Sequence, residues 1–392
     1  MALHQITPQV YFVGARDWNR RLFDALVPLP DGTSYNAYLV KGSEKNVLID
    51  SVDPPKSEEL LNHLKRLNVK TLDYIVANHA EQDHSGAIPA VLEAYPEARV
   101  VANSKCKDFL VEHLLIAEEK FIIVNDRETL SLGDKTLEFL MTPWVHWPET
   151  MVTYLKEDRI LFSCDFFGSH LATSNLYVED EHRVLEDAKR YYAEIMMPFR
   201  AIIKKNIEKV EALAIDLIAP SHGPIFNKPG LIIDAYKDWI SDRVGNVVVL
   251  AYVSMHGSTE KMVTYFTDRL MEKGVTVKLF DLIDTDLGRL AMALVDAATI
   301  VLGTPTVLGG PHPAAVYAAT LTNALKPKAK YATVIGSYGW GGRTVEVIKN
   351  NMNNLKVEFL EPLLIKGHPE EKDYKLLEDL AETIAAKHKA LS

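Results

Sequence analysis

The stretch Asn78-His79-Ala80-Glu81-Gln82-Asp83-His84-Ser85-Gly86 sets four metal-ligating side chains within six residues. His, Glu, Asp and His together suit a hard or borderline divalent ion. The stretch follows an apolar run, Leu72 to Ala77, that reads as a buried strand. Strand ends are where layered α/β folds build their sites. Taken alone, the loop also admits a less favoured plain reading, a solvated turn that happens to be polar. Three other segments weigh against that. Thr142-Pro143-Trp144-Val145-His146-Trp147-Pro148 places one His between two Trp and two Pro. Phe162-Ser163-Cys164-Asp165 ends an apolar run in an acid, and alternation puts Phe162 and Cys164 on one face and Asp165 on the other. Ala219-Pro220-Ser221-His222-Gly223-Pro224 sets a His in a Gly/Pro turn. A buried acid or imidazole needs a partner. Four strand ends that each carry a ligand type fit one convergent site better than four separate accidents. The metal candidates are therefore His79, Glu81, Asp83, His84, His146, Asp165 and His222.

A second chemistry is written after the apolar run Val247–Tyr252. Ser254-Met255-His256-Gly257-Ser258-Thr259 opens a helical pattern. Hydroxyls and backbone N–H groups at a helix start make a phosphate cradle. An ordinary Ser/Thr helix cap is the simpler alternative. The pattern is neither GxGxxG nor the lysine-containing nucleotide loop, which disfavours those cofactor classes. Two more loops follow apolar strands, Thr304-Pro305-Thr306-Val307-Leu308-Gly309 and Ser337-Tyr338-Gly339-Trp340-Gly341-Gly342. Open α/β sheets bind ligands at such carboxyl ends. Glycines admit a flat ring closely, and Tyr338 or Trp340 can stack on it.

The elements that must position these loops differ between the halves. Before Arg243 the pattern is short strands, hairpins and helices. Strands are predicted at 34–39, 46–50, 72–77 and 217–220, with hairpins over 130–141 and 151–165. Helices are predicted at 57–67, from about 184 to 210, and ending near 242. After Arg243, strands at 247–252, 275–280, 299–303, 331–336 and 357–364 alternate with helices, which predicts a doubly wound parallel sheet. Turn chemistry at Gly245-Asn246 places a boundary near residue 244.

Composition narrows the classes. At 392 residues with 47% hydrophobic and 24% charged side chains, a folded chain of two or three domains is expected. A formal charge of −10 argues against a nucleic-acid partner. No apolar run reaches the roughly 18 residues of a membrane span. No secretion signal is seen in residues 1–20, so a cytoplasmic location is expected. Two cysteines, Cys106 and Cys164, cannot make a four-thiolate iron centre.

With these residues assembled, the chain resembles the flavodiiron proteins, the flavodiiron branch of the metallo-β-lactamase fold. The resemblance rests on HxExDH with the distant His146, Asp165 and His222, and on SYGWGG at 337–342. Asp17-Trp18, Tyr35-Asn36-Ala37-Tyr38-Leu39, His146-Trp147-Pro148 and Tyr191-Tyr192-Ala193 extend it over almost the whole chain. It implies a metallo-β-lactamase-like αββα sandwich over 1–244. A flavodoxin-like five-stranded parallel sheet with FMN is implied over 245–392. It further implies two irons: His79, Glu81 and His146 on one, Asp83 and His222 on the other, Asp165 bridging, and His84 a ligand in some members only. Hydrolytic members of the fold usually have His in place of Glu81, and carboxylates suit ferric iron where imidazoles suit zinc. Tyr191 matches a pocket tyrosine and is a candidate proton donor, with a buried structural Tyr as the alternative. His170 is a candidate to sit behind the ligands.

The implied reaction is reduction of dioxygen to water or of nitric oxide to nitrous oxide, with electrons entering at FMN. A head-to-tail homodimer or dimer of dimers is implied, together with a separate electron donor: rubredoxin, a flavin reductase or reduced deazaflavin. Neither a membrane nor a nucleic acid is expected as a partner. Three positions depart from the family. Asp24 and Ala25 follow Phe23 where many members have a His, Val253 stands where Asp is frequent, and apolar residues and glycines occupy the second flavin loop. A dizinc hydrolase joined to a flavodoxin domain, and a non-catalytic electron carrier, are the competing readings. The remaining histidines (His4, His63, His113, His182, His312, His368 and His388) show no partner pattern.

Overall fold

Consecutive residues Val47, Leu48 and Ile49 face opposite sides of one sheet, and this alternation organises the first half of the chain. Val47 and Ile49 join one apolar core and Leu48 another. The same split recurs at Ile75 and Val76, and at Val100 and Val101. A strand buried on both faces belongs to an inner layer. The computed structural model describes residues 4–391. It divides into two compact units, residues 1–191 with 199–240, and residues 192–198 with 241–392.

In the first unit one sheet has the order His4–Thr7, Val10–Phe12, Tyr38–Lys41, Asn46–Ile49, Tyr74–Val76, Arg99–Ala102, Phe121–Ile123. A second sheet runs Thr129–Ser131, Thr136–Met141, Met151–Leu155, Ile160–Cys164, Leu217–Pro220. Phe139, Met151, Leu155, Ile160 and Phe162 of the second sheet share a core with Val47 and Ile49 of the first. Leu60, Leu64, Val91 and Leu110, from helices Ser57–Arg66, Ile88–Ala94 and Ser104–Leu114, cover the other face of the first sheet. Helices Arg200–Glu211 and Pro229–Ile240 complete the unit and bury Ile203, Ile207, Ile232 and Tyr236. This is the expected layered α/β sandwich of the metallo-β-lactamase type.

The second unit is a parallel sheet in the order Thr276–Asp281, Val247–Tyr252, Thr299–Val307, Tyr331–Tyr338, Glu358–Phe359. Leu250 pairs with Leu279 on one side and Val301 on the other. The order of strand addition reverses at Val247–Tyr252, with Thr276–Asp281 added on one side and Thr299–Val307 on the other, all parallel, which creates a crevice at their carboxyl ends. The flavodoxin-like topology is thus the expected one.

Three departures from the sequence reading have local causes. The helix expected over 184–210 is broken into Glu181–Tyr191 and Arg200–Glu211 by a wide turn at Tyr192–Met196 and a tight one at Met197–Phe199. Pro198 lacks the N–H that a continuous helix needs. The strand expected over 357–364 is two pieces, Glu358–Phe359 and Leu363–Lys366, each pairing with Tyr331–Tyr338. Pro362 stands between them and cannot donate to the ladder. The chain divides at Ile240/Ser241, with 192–198 joining the second unit, where the sequence suggested a single cut near 244.

Candidate functional site

The loop after strand Tyr74–Val76 is held from beneath before any ligand is considered. Buried Asp50 accepts from the Asn78 backbone N–H and from its amide, both at 2.8 Å. Thr153 donates to Asn78 Oδ1 at 2.7 Å, and Met151 N–H to the Asn78 carbonyl at 3.0 Å. Ser51 donates to the His84 carbonyl through both its backbone N–H and its hydroxyl. Ser85 donates to the Ala80 carbonyl at 2.7 Å. Both sheets therefore fix the same turn, and a short helix, Gln82–Ser85, follows Glu81.

Asp165 lies at the centre. Cys164 takes a left-handed φ of 52°, and the ladder to Leu217–Pro220 shifts register between Phe162 and Cys164. The kink delivers Asp165 into the site. One oxygen, Oδ2, lies 3.5 Å from His79 Nε2 and 3.6 Å from His146 Nε2. The other, Oδ1, lies 3.1 Å from His84 Nε2 and 3.4 Å from His222 Nε2. Glu81 Oε2 stands 3.1 Å from both His79 Nε2 and His146 Nε2. Asp83 Oδ1 is 3.2 Å from His84 Nε2, and its Oδ2 is 3.1 Å from His222 Nε2. All seven sequence candidates are thus brought together as two sets that share Asp165: His79, Glu81, His146 and Asp83, His84, His222. His84 points its Nε2 into the second set.

The donors suit a cation better than one another. Ligands about 2.1 Å from a divalent ion lie about 3 Å apart, close to the spacings seen here. Both oxygens of Asp83, His84 Nε2 and Asp165 Oδ2 are buried without a hydrogen-bond partner. Such orphaned buried atoms call for an ion. Electrostatics agree. Burial pulls His222 down, but the facing carboxylates of Asp165 and Asp83 outweigh it and push the imidazole up to about 10. Burial also pulls His79 down, and its bonds to Glu149 and Glu81 hold it well above its usual value. Asp165 is pushed up by burial, yet His84 and His222 hold it well below the usual carboxylate range. The cluster is built to hold positive charge.

Residues behind the ligands set their orientation. His79 Nδ1 donates to Glu149 at 2.7 Å, and Ala80 N–H bonds the same oxygen at 3.1 Å. His222 Nδ1 donates to the Ser34 carbonyl at 2.6 Å. Each contact directs Nε2 inward. Tyr191, fully buried, donates to Asp165 Oδ1 at 2.7 Å. His170 packs edge-on against Tyr191 and tilted against His222, both at 4.8 Å between ring centres, with Nδ1 2.9 Å from the Thr33 hydroxyl. Asp24 sits on a three-residue turn between Leu22–Phe23 and Val27–Pro28, where it and Ala25 have positive φ. Partial burial, then the nearby Glu81 and Asp83, push the Asp24 carboxyl up to about 6. Asp24 is solvent-exposed, yet near enough to feel the charges of Glu81 and Asp83.

Glu149 and Asp50 escaped the sequence reading. Glu149 directly follows the His-Trp-Pro triplet, which was the available signal. Asp50 ends a strand, as Asp165 does.

The second unit carries a cleft of about 350 Å³ at the crevice of its sheet, within the range of small-molecule sites. Ser254, Met255, His256, Ser258, Thr259, Pro305, Thr306, Ser337, Tyr338 and Gly339 line it, as the sequence suggested. Thr304, Val307, Leu308, Gly309, Trp340, Gly341 and Gly342 do not line it. Thr304 is buried and accepts the His312 N–H, whereas Leu308 and Trp340 are 94% and 67% exposed. Gly257 stands at the cap of helix Ser258–Glu272 with φ 80°. A Cβ on Gly342 would lie 2.8 Å from the Gly309 carbonyl, so the two outer loops touch through that glycine. Gly367 and His368 also line the cleft and were not foreseen. Three other histidines without a sequence pattern are tied into the fold. His63 Nδ1 lies 2.9 Å from the Val13 carbonyl, His312 caps helix Pro313–Leu325, and His388 bonds Thr299 and Asn246.

Known proteins share both halves. Residues 33–223 match the ODP family beta lactamase model, and residues 250–379 match the flavodoxin model. A nitric oxide reductase of Moorella thermoacetica is 37% identical over 97% of this chain and 98% of its own length. The coenzyme F420H(2) oxidase of Methanothermobacter marburgensis is 34% identical over 89% of each chain. Among solved structures, the rubredoxin oxygen:oxidoreductase of Desulfovibrio gigas aligns with a TM-score of 0.95 at 31% identity, covering 100% of this chain and 99% of that one.

Proposed function

This chain belongs to the flavodiiron protein family, and on that premise we propose that it is an oxidoreductase reducing dioxygen to water or nitric oxide to nitrous oxide at a di-iron site. The observation that carries the reading is Asp165, whose two carboxylate oxygens face two separate His/carboxylate sets. His79, Glu81 and His146 would hold one ion, and Asp83, His84 and His222 the other, with Asp165 common to both. Three carboxylates against four imidazoles favour iron over zinc. The cleft of the second unit, in a flavodoxin-type sheet, supports FMN as the entry point for electrons.

When bound, FMN supplies single electrons and the irons supply the charge that stabilises reduced oxygen atoms. The chain's own residues do the rest. Glu149 and the Ser34 carbonyl lock the His79 and His222 tautomers so that Nε2 faces the centre. Tyr191 holds a proton at Oη against Asp165 Oδ1, which is the position from which a proton can be delivered to the site. Burial, then the neighbouring Asp165 charge, raise the Tyr191 phenol far above its usual value, so it stays protonated.

The electron donor is a separate protein or cofactor of the kind that relatives' names print, with rubredoxin the first to test. Exposed Trp340, Leu308 and Met255 in the flavin-bearing unit support a further protein contact there, and we place a head-to-tail homodimer on that surface. A cytoplasmic location accords with this chemistry; among the described residues no helix is long and apolar enough to cross a membrane. Metal and flavin analysis of the purified protein tests the reading. Two irons and one FMN per chain are expected; zinc at both positions with esterase turnover would overturn it.

A further inference from the structure

His368 follows Leu363–Lys366, a segment of the last strand position of the sheet, through Gly367 at φ 77°. The turn is pinned, because Gly367 N–H donates to the Tyr338 carbonyl at 2.9 Å and Lys366 pairs with Tyr338. It carries the imidazole across to the first helix, where His368 Nδ1 lies 3.1 Å from Ser258 Oγ. Ser258 opens the 15-residue helix Ser258–Glu272. Ser258, His256 and His368 all line the same cleft. Two loops more than a hundred residues apart thus meet at one end of it.

The charges at that end are few. Among the described residues lining the cleft there is no Lys or Arg, and His256 and His368 are the groups able to carry positive charge. A phosphate monoester carries about −1.5 to −2 at neutral pH, and a helix start offers about half a positive charge. The helix alone leaves much of the anion uncompensated. With Nδ1–H donating to the Ser258 oxygen, the charged ring keeps Nε2–H to donate and the serine keeps its own hydroxyl proton to donate.

We propose that His368 is a phosphate-binding residue of this cleft: its imidazole donates to the phosphate of the bound flavin, beside the Ser258 hydroxyl and the helix amides. The assignment rests on reading the cleft as an FMN site. It separates FMN from riboflavin, which lacks the phosphate, so the two ligands are the test.

The full-length protein, stripped of flavin, is titrated with FMN and with riboflavin by quenching of flavin fluorescence, as wild type, H368A and H368K. The expected result is that H368A weakens FMN by at least about tenfold, the scale of one charge-assisted hydrogen bond. Riboflavin affinity stays unchanged, and H368K recovers most of the FMN affinity. A histidine that only anchors its loop would weaken both flavins alike and would not be replaced by lysine. Equal loss of both flavins, or unchanged FMN binding in H368A, overturns the assignment while leaving the cleft an FMN site. A wild-type protein that binds neither flavin overturns both.

Discussion

Tyr191 and Asp165 are joined by a 2.7 Å hydrogen bond that ends on the same oxygen, Oδ1, that faces His84 and His222. The phenol is buried and cannot exchange this partner for water. It therefore both orients the shared carboxylate and keeps a proton at the edge of the metal cluster.

Replacing Tyr191 by Phe separates these roles from metal binding. All seven ligand candidates remain in Y191F, so iron content is expected to stay near wild type. Gas consumption is expected to fall tenfold or more, toward the roughly hundredfold contribution of a positioned acid. Oxygen- and nitric oxide-electrode rates, normalised to iron, check this.

Glu149→Gln keeps the shape but weakens the acceptor for His79 Nδ1. Loss of such a support to a metal-bound imidazole costs about 10- to 100-fold in metal affinity. Chelator competition on the reconstituted protein should show faster and deeper metal loss in E149Q, with little change in folding by circular dichroism.

Asp187, on helix Glu181–Tyr191, gives a pH-dependent stability. Burial first, then the neighbouring Asp31, push its carboxyl from 3.8 to about 7. The folded state thus binds this proton more tightly than the unfolded chain. Stability falls as pH rises from about 4 to about 7 and stays lower above that. D187N removes this slope. With solvent screening, the variant should be about 1–2 kcal/mol more stable than wild type at pH 8 and no more stable at pH 4. Urea unfolding at the two pH values measures it.

Gly336 is required by its neighbour, not by a ligand. A Cβ there would lie 1.9 Å from the Thr304 carbonyl oxygen of the adjacent strand. G336A should lose roughly 1–3 kcal/mol or more of stability through overpacking. A lowered unfolding midpoint of the flavin-binding unit, followed by flavin fluorescence, is the readout. Unchanged unfolding would mean that the strands separate freely here.

The legible parts of this molecule were those written in short, local patterns. His79 to His84 lie on one turn, so their types and spacing were visible without a fold. His146, Asp165 and His222 were found because each ends an apolar run. Glu149 was not, because its meaning comes from a contact with His79, 70 positions away in sequence. His368 was missed for the same reason, being 110 positions from Ser258. The parallel strands of the second unit are readable from their apolar content, yet that content does not show the break at Pro362 that splits the last strand in two. The long helix expected from 184 to 210 failed at Pro198 likewise. Glycines assigned to ring contact divided differently, some serving strand and loop contact. What the pattern could not carry was long-range pairing, which only the assembled sheets define.

The central claim, that two metal sets sharing Asp165 reduce a small gas with electrons from flavin, is tested most directly by one stopped-flow experiment. The protein, with iron and FMN quantified, is reduced anaerobically and mixed with dioxygen or nitric oxide in parallel with D165A. Rapid flavin reoxidation with stoichiometric consumption of at least one gas, abolished in D165A, is the predicted result. Reoxidation of equal rate and stoichiometry in D165A, or no consumption of either gas by an iron- and FMN-replete wild type, would contradict it.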